Sequence, residues 1–163
     1  MEICDPKKNT WSDAESMTVT RSHHTATLLT NGSVLVAGGD GYPDDEEYED
    51  TMELATAVLY HPDSQTWLKV APLRTARQLY TATLLANGKV LLSGGVGEFG
   101  GLSDGEMYDP ASNKWAASGL LKAPRWSHTA TMLANGRVLV DCGVVASDQA
   151  PTAELYDPLT DRW

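Results

Sequence analysis

Imidazole, phenol and indole groups stand just inside three arginines of this 163-residue chain, and they are its side chains best suited to ligand chemistry. Arg21 is followed by Ser22, His23 and His24; Arg77 by Gln78, Leu79 and Tyr80; Arg125 by Trp126, Ser127 and His128. Such groups offer hydrogen-bond donors and acceptors and flat stacking surfaces to a peptide or glycan. His24, Tyr80 and His128 occupy one equivalent position, which is also how a shared packing contact would repeat. His23 and Trp126 differ from their counterparts, and that departure points to recognition. The arginines do not vary, so a structural role is expected of them, bonding backbone or a carboxylate such as Glu106 or Glu154. Val58 replaces that Glu in the first copy. No phosphate-cradling glycine loop, Ser-His-Asp set or His-Glu-x-x-His is present, and no carboxylate pair has a spacing that predicts acid–base catalysis.

The elements that position these residues recur. Thr-Ala-Thr-Leu-Leu follows Arg21 and Arg77, and Thr-Ala-Thr-Met-Leu follows Arg125. Asn-Gly then comes at 31-32, 87-88 and 135-136, with an apolar run behind it. Glycine pairs close the runs at 38-39 and 94-95, and Cys142-Gly143 stands in the third copy. Tyr60, Tyr108 and Tyr156 each precede a proline by two residues, and Trp67, Trp115 and Trp163 lie seven residues after them. Counted from Trp11, the tryptophan steps are 56, 48 and 48 residues, the first lengthened by eight residues inserted after Gly39. A period near 50 marks stacked supersecondary units. Within each unit, short β-branched segments separated by turn signals predict four strands, near 24–30, 33–38, 54–60 and 66–70 in the first copy. Asn-Gly predicts a type I′ hairpin turn with positive φ at both central positions.

The invariant Arg, the Asn-Gly turn, the double glycine and the spaced Tyr and Trp resemble the kelch repeat, over essentially the whole chain. The resemblance implies an all-β, kelch-type β-propeller in which each repeat is one four-stranded blade around a central channel. Its expected divisions are an outer hairpin and connection over 2-20, a first blade over 21-67 with an acidic insertion over 40-53, a second over 77-115 and a third over 125-163. Glu2 to Trp11 aligns without gaps on Glu154 to Trp163, so the chain opens and closes at one phase of the repeat. Three blades and an outer half-blade do not make a closed ring. The expectation is completion by further blades of a longer chain or by self-association, since open sheet edges invite pairing.

Composition narrows the partners. Net charge is −10, and between Ser22 and Leu68 there are nine acids and no Lys or Arg. Eight of the nine fall between Asp40 and Glu53, which argues against binding a nucleic-acid backbone and could steer a basic partner or hold divalent cations. No apolar run approaches the length of a membrane helix, and Met1 to Lys8 carries no apolar signal core, so no membrane partner is expected. Cys4 and Cys142 fall at unrelated repeat positions about three blades apart, too far to be expected within the roughly 7 Å of a disulfide; buried, inert thiols are the expectation. No zinc spacing, metal site or cofactor is expected.

In such a blade the 1–2 and 3–4 turns share one face, here made of near-identical Asn-Gly and Asp-Pro turns. The 2–3 and inter-blade loops share the other, and there the copies vary. Variable loops on a rigid scaffold carry binding, and kelch domains use that same face, as the resemblance implies. The expected function is non-enzymatic recognition of a protein, peptide or glycan. Its candidate residues are His23, His24, Leu79, Tyr80, Trp126, Ser127 and His128, with Asp44, Asp45, Glu46 and Glu47 of the acidic loop. The same strings also resemble the propeller of galactose oxidase and related copper radical oxidases, where tyrosines near these positions ligate copper. Here those positions hold His23, Leu79 and Ser127, then His24, Tyr80 and His128. No tyrosine stands at the radical-ligand position, so the enzymatic alternative lacks its redox partner.

Overall fold

A computed structural model describes residues 1–42, 51–145 and 152–163, and every regular element among them is a β-strand. The chain begins with a hairpin, Glu2–Asp5 against Thr10–Asp13. Three units follow, each an antiparallel meander. The first pairs Thr25–Leu28, Val34–Ala37, Ala57–His61 and Thr66–Lys69 in that order. The second pairs Thr81–Leu84, Val90–Ser93, Gly105–Asp109 and Lys114–Ser118. In the third, Thr129–Met132, Val138–Asp141 and Glu154–Tyr156 form a sheet, and the fourth position is reduced to a bridge between Asp157 and Arg162.

Alternation explains why these sheets stack. In the first unit Leu35, Ala37, Ala57 and Leu59 turn to the second, whose Val90, Leu92, Tyr108 and Trp115 meet them in one core. The opposite face of the second unit supplies Leu85 and Leu91 to a second core with Val138 and Tyr156. The middle strand Val90–Ser93 is buried along its whole length, as its unbroken apolar run requires. Tyr60 and Tyr108 sit opposite Trp67 and Trp115 in cross-strand register, Tyr156 and Trp163 flank the Asp157–Arg162 bridge, and the ring centroids are 4.9, 4.7 and 5.2 Å apart in chain order. The indole N–H groups of Trp67, Trp115 and Trp163 donate to the carbonyls of Glu15, Ala71 and Gly119, tying each outer strand to the segment that enters its own unit.

The Asn-Gly hairpins differ from the type I′ expectation. Gly32, Gly88 and Gly136 have φ near +80°, but Asn31, Asn87 and Asn135 do not have positive φ. The Gly32 amide donates to Leu29 O at 3.0 Å, so the loop is a type I turn followed by a glycine bulge, three residues rather than two. The asparagine side chain explains the choice: Oδ1 accepts the amide two residues on in all three copies, at 3.1 Å. The cysteines depart from expectation in their exposure, not in being unpaired. Both are free, and both are exposed rather than buried. Cys142 takes φ +61° in the place of the first glycine, where Gly38 and Gly94 have +54° and +63°.

Candidate functional site

The meander puts the Asn-Gly and Asp-Pro turns at one end of the sheets, and at the other the 2–3 connections and the unit-to-unit connections. The three arginines sit at this second end and hold it together. Arg77 is fully buried and donates to Gly94 O at 2.9 Å, Asp104 O at 3.1 Å, Asp104 Oδ2 at 2.7 Å and Glu106 Oε1 at 3.1 Å. Glu106 in turn accepts the Arg74 and Thr75 amides. Arg125 repeats the arrangement, with Cys142 O, Thr152 O and Glu154 Oε1. Arg21 reaches Gly38 O and Thr56 in the same way, without a carboxylate because Val58 stands there. The arginines are therefore clamps between the second and third strands, as their constancy predicts.

Two residues past each arginine, His23, Leu79 and Ser127 have φ of +49°, +55° and +52°. Left-handed backbone at non-glycine residues stores strain and persists only where the surroundings hold it. Here the surroundings are the neighbouring units: Leu79 N donates to His23 O at 3.3 Å, and Ser127 N to Leu79 O at 2.9 Å. The second glycine of each pair completes the link, Gly39 N to Arg77 O and Gly95 N to Arg125 O. A row of three geometrically equivalent side-chain positions results, and residue identity alone distinguishes them.

The next position is spent on packing. Tyr80 is buried, its hydroxyl donating to Ala37 O and accepting from Thr25 Oγ1 in the unit before. His128 is buried likewise, with Nε2 3.0 Å from Thr81 Oγ1 and 3.4 Å from Ser93 Oγ. Burial first, then the nearby Arg125 charge, pushes the His128 pKa down to about 4, and burial pushes the Tyr80 phenol up to about 12. These two candidates therefore face a neighbouring unit and are removed from solvent, which corrects their reading as ligand contacts. Their equivalent His24 is exposed. Burial of part of its ring and the Arg21 charge lower its pKa.

At the variable positions the first unit stands apart. His23 Nδ1 lies 2.8 Å from Asp40 Oδ1, and the Ser22 hydroxyl donates to the same oxygen at 2.8 Å. Ser22 and Asp40 also form a backbone bridge, so the cluster is fixed through main chain as well as side chain. Burial alone would raise the Asp40 pKa, but the hydrogen bonds from His23 and Ser22 outweigh it and the carboxyl is held low. With Nδ1 engaged by a carboxylate, the imidazole is oriented and Nε2 is left for a partner. A shallow cavity of about 220 Å³ adjoins the cluster, with Tyr42 and Thr51 in its wall. Leu79 and Ser127 have no such partner: Val96 and Val144 occupy the place of Asp40.

Trp126 does not project freely. Its indole lies against Gly101, where an added Cβ would come within 2.6 Å of the ring, and it caps the ribbon formed by Val96–Gly97 and Gly100–Gly101. Leu79 is half-buried and Ser127 exposed. Asp44, Asp45, Glu46 and Glu47 lie outside the described residues. Sequence reading missed Asp40 and Ser22 as a unit with His23. The signal was present, because Asp40 is the residue after the glycine pair and faces Val96 and Val144 when the copies are aligned.

No family model matches the chain. It is 34% identical over 99 residues to an F-box/kelch-repeat protein of Arabidopsis thaliana, an alignment that covers 60% of this chain and 24% of that relative. The chain thus spans about a quarter of the length of the curated relative it matches. The likeness points to kelch repeats over the aligned residues, in agreement with the antiparallel strands that make up every regular element among the described residues.

Proposed function

We propose that this chain is a non-enzymatic recognition scaffold, a run of kelch-type propeller blades that binds a protein partner at the end of the sheets bearing the 2–3 connections. The observation that carries this reading is the contrast at one position. The backbone forces the same left-handed conformation on His23, Leu79 and Ser127, yet only His23 is paired with a carboxylate that orients it. Rigid placement of a polar side chain among variable loops is what binding surfaces need, since little ordering entropy is then lost on association. The kelch-repeat relative supports a protein-interaction role in general. The acidic stretch from Asp40 to Glu53 favours a basic partner, whose approach it would steer.

A peptide selected from a displayed library against the whole chain tests this. Replacing His23 and Asp40 with the residues of the second unit, His23→Leu with Asp40→Val, keeps side chains that the scaffold already accommodates. The expected result is loss of most of the binding with an unchanged melting temperature. A selected peptide that binds the double variant as tightly as the parent, while losing affinity when Lys89 and Arg137 at the other end are replaced, would overturn the assignment of the binding end.

A further inference from the structure

The two most exposed large apolar side chains among the described residues lie at opposite ends of the sheets. Phe99, the single phenylalanine of the chain, is 96% exposed, and Leu159 is 95% exposed. Phe99 sits at the tip of the two-residue ribbon in which Val96 pairs with Gly101 and Gly97 with Gly100. That ribbon is held at its base by Leu102 N to Gly95 O and by the Gln78–Val96 bridge, and from the side by the Trp126 indole. The aromatic ring is thus presented on a fixed stalk, which reduces the ordering cost of burying it in a partner.

Leu159 lines a cleft of about 570 Å³ between the turns of the second and third units. Leu85 contributes a second apolar wall, and Asn87, Asn135 and Arg137 the polar ones. The Asn87 and Asn135 oxygens accept local amides, which leaves their amide nitrogens as donors for the carbonyls of a tight turn. Arg137 is half-exposed and pairs with Asp157 at 3.1 Å. Charge favours the same match. Glu98 adjoins Phe99, and Asp40 and Asp104 share its end of the sheets, whereas the turn end is close to neutral, its six Lys and Arg side chains offsetting Asp5, Asp63, Asp109, Asp157 and Asp161.

We propose that copies of this chain stack head to tail, with Phe99 of one copy in the Leu85–Leu159 cleft of the next and Glu98 beside Arg137. The two surfaces are different patches of one molecule, so the contact is heterologous and does not close on itself. It adds an aromatic anchor in an apolar cleft with a charged rim, the arrangement that concentrates binding energy at interfaces.

Sedimentation velocity of the whole chain across micromolar to millimolar concentration tests the contact. The parent chain is expected to associate without a defined end point. Phe99→Ala removes the knob and Leu159→Glu spoils the hole while repelling Glu98. Each variant alone is expected to associate at least about tenfold more weakly, the scale for losing an interface anchor. Both positions are exposed, so unchanged circular dichroism is expected and confirms that folding is intact. Mixing the two variants is expected to give a complex that stops at one-to-one, because each supplies the half the other lacks. A parent chain that stays monomeric throughout, association that survives Phe99→Ala, or a mixture that forms no complex would each overturn the proposal.

Discussion

His128 shows how a side chain nominated for chemistry is used for construction. Its ring fills the seat between Thr81 and Ser93 of the preceding unit, and burial holds its pKa near 4 against an ordinary 6.5. A depressed histidine stabilises the fold fully above the unfolded value, where both states are neutral. Between about 6.5 and about 4 the unfolded chain takes up a proton that the native one refuses, so stability falls as pH falls through that window. Chemical denaturation at several pH values should therefore show a decline across the window in the parent chain that is reduced in His128→Gln. Equal slopes would mean that the imidazole is not held neutral. The arginines belong to the same scale. A buried guanidinium missing its carboxylate is costly, by about 3–5 kcal/mol for a fully buried pair, and Arg21 escapes that cost because its carboxylate-free site is partly open and backbone carbonyls receive it.

Glycine has two distinct jobs in these units. At Gly94 a Cβ would lie 2.4 Å from Arg125 O, so the position is closed by the next unit as well as by its φ of +63°. At Gly136 φ is +82° but nothing lies within 4 Å. Gly136→Ala should therefore cost only backbone strain, about 1–3 kcal/mol, whereas Gly94→Ala must also separate two units and should cost clearly more. Thermal melts of the two variants, compared directly, check this; equal losses would show that the units are not held by that close approach. The strands, their order and the glycine pairs could be read from the chain because each rests on local chemistry: alternating apolar residues, Asn-Gly, Pro after Tyr. The turn type could not, since a two-residue and a three-residue loop share the Asn-Gly signal and the asparagine oxygen decides between them. The His23–Asp40 pair was hidden for a different reason. The two residues lie 17 positions apart and meet only through strand pairing next to an insertion.

At the scale of the molecule, the units differ in what covers them. Leu35 and Leu59 of the first unit are buried against the second, while their third-unit counterparts Leu139 and Leu155 are partly open, with Leu155 43% exposed. Leu59→Ala should cost about 2–5 kcal/mol as a cavity in a packed core, and Leu155→Ala less than about 1 kcal/mol, as at other surface positions. Similar costs in denaturant titrations would show that the third unit's outer face is covered in solution. The same scale carries the central claim, that the end of the sheets with variable residues is the one that recognises a partner. Amide hydrogen exchange of the whole chain, with and without a library-selected peptide, reads this most directly. Recognition at the variable end predicts slowed exchange at Ser22 to His24, Asp40, Gly41 and the Val96–Gly101 ribbon. Protection confined instead to the turns at Asn31-Gly32, Asn87-Gly88 and Asn135-Gly136 would contradict it.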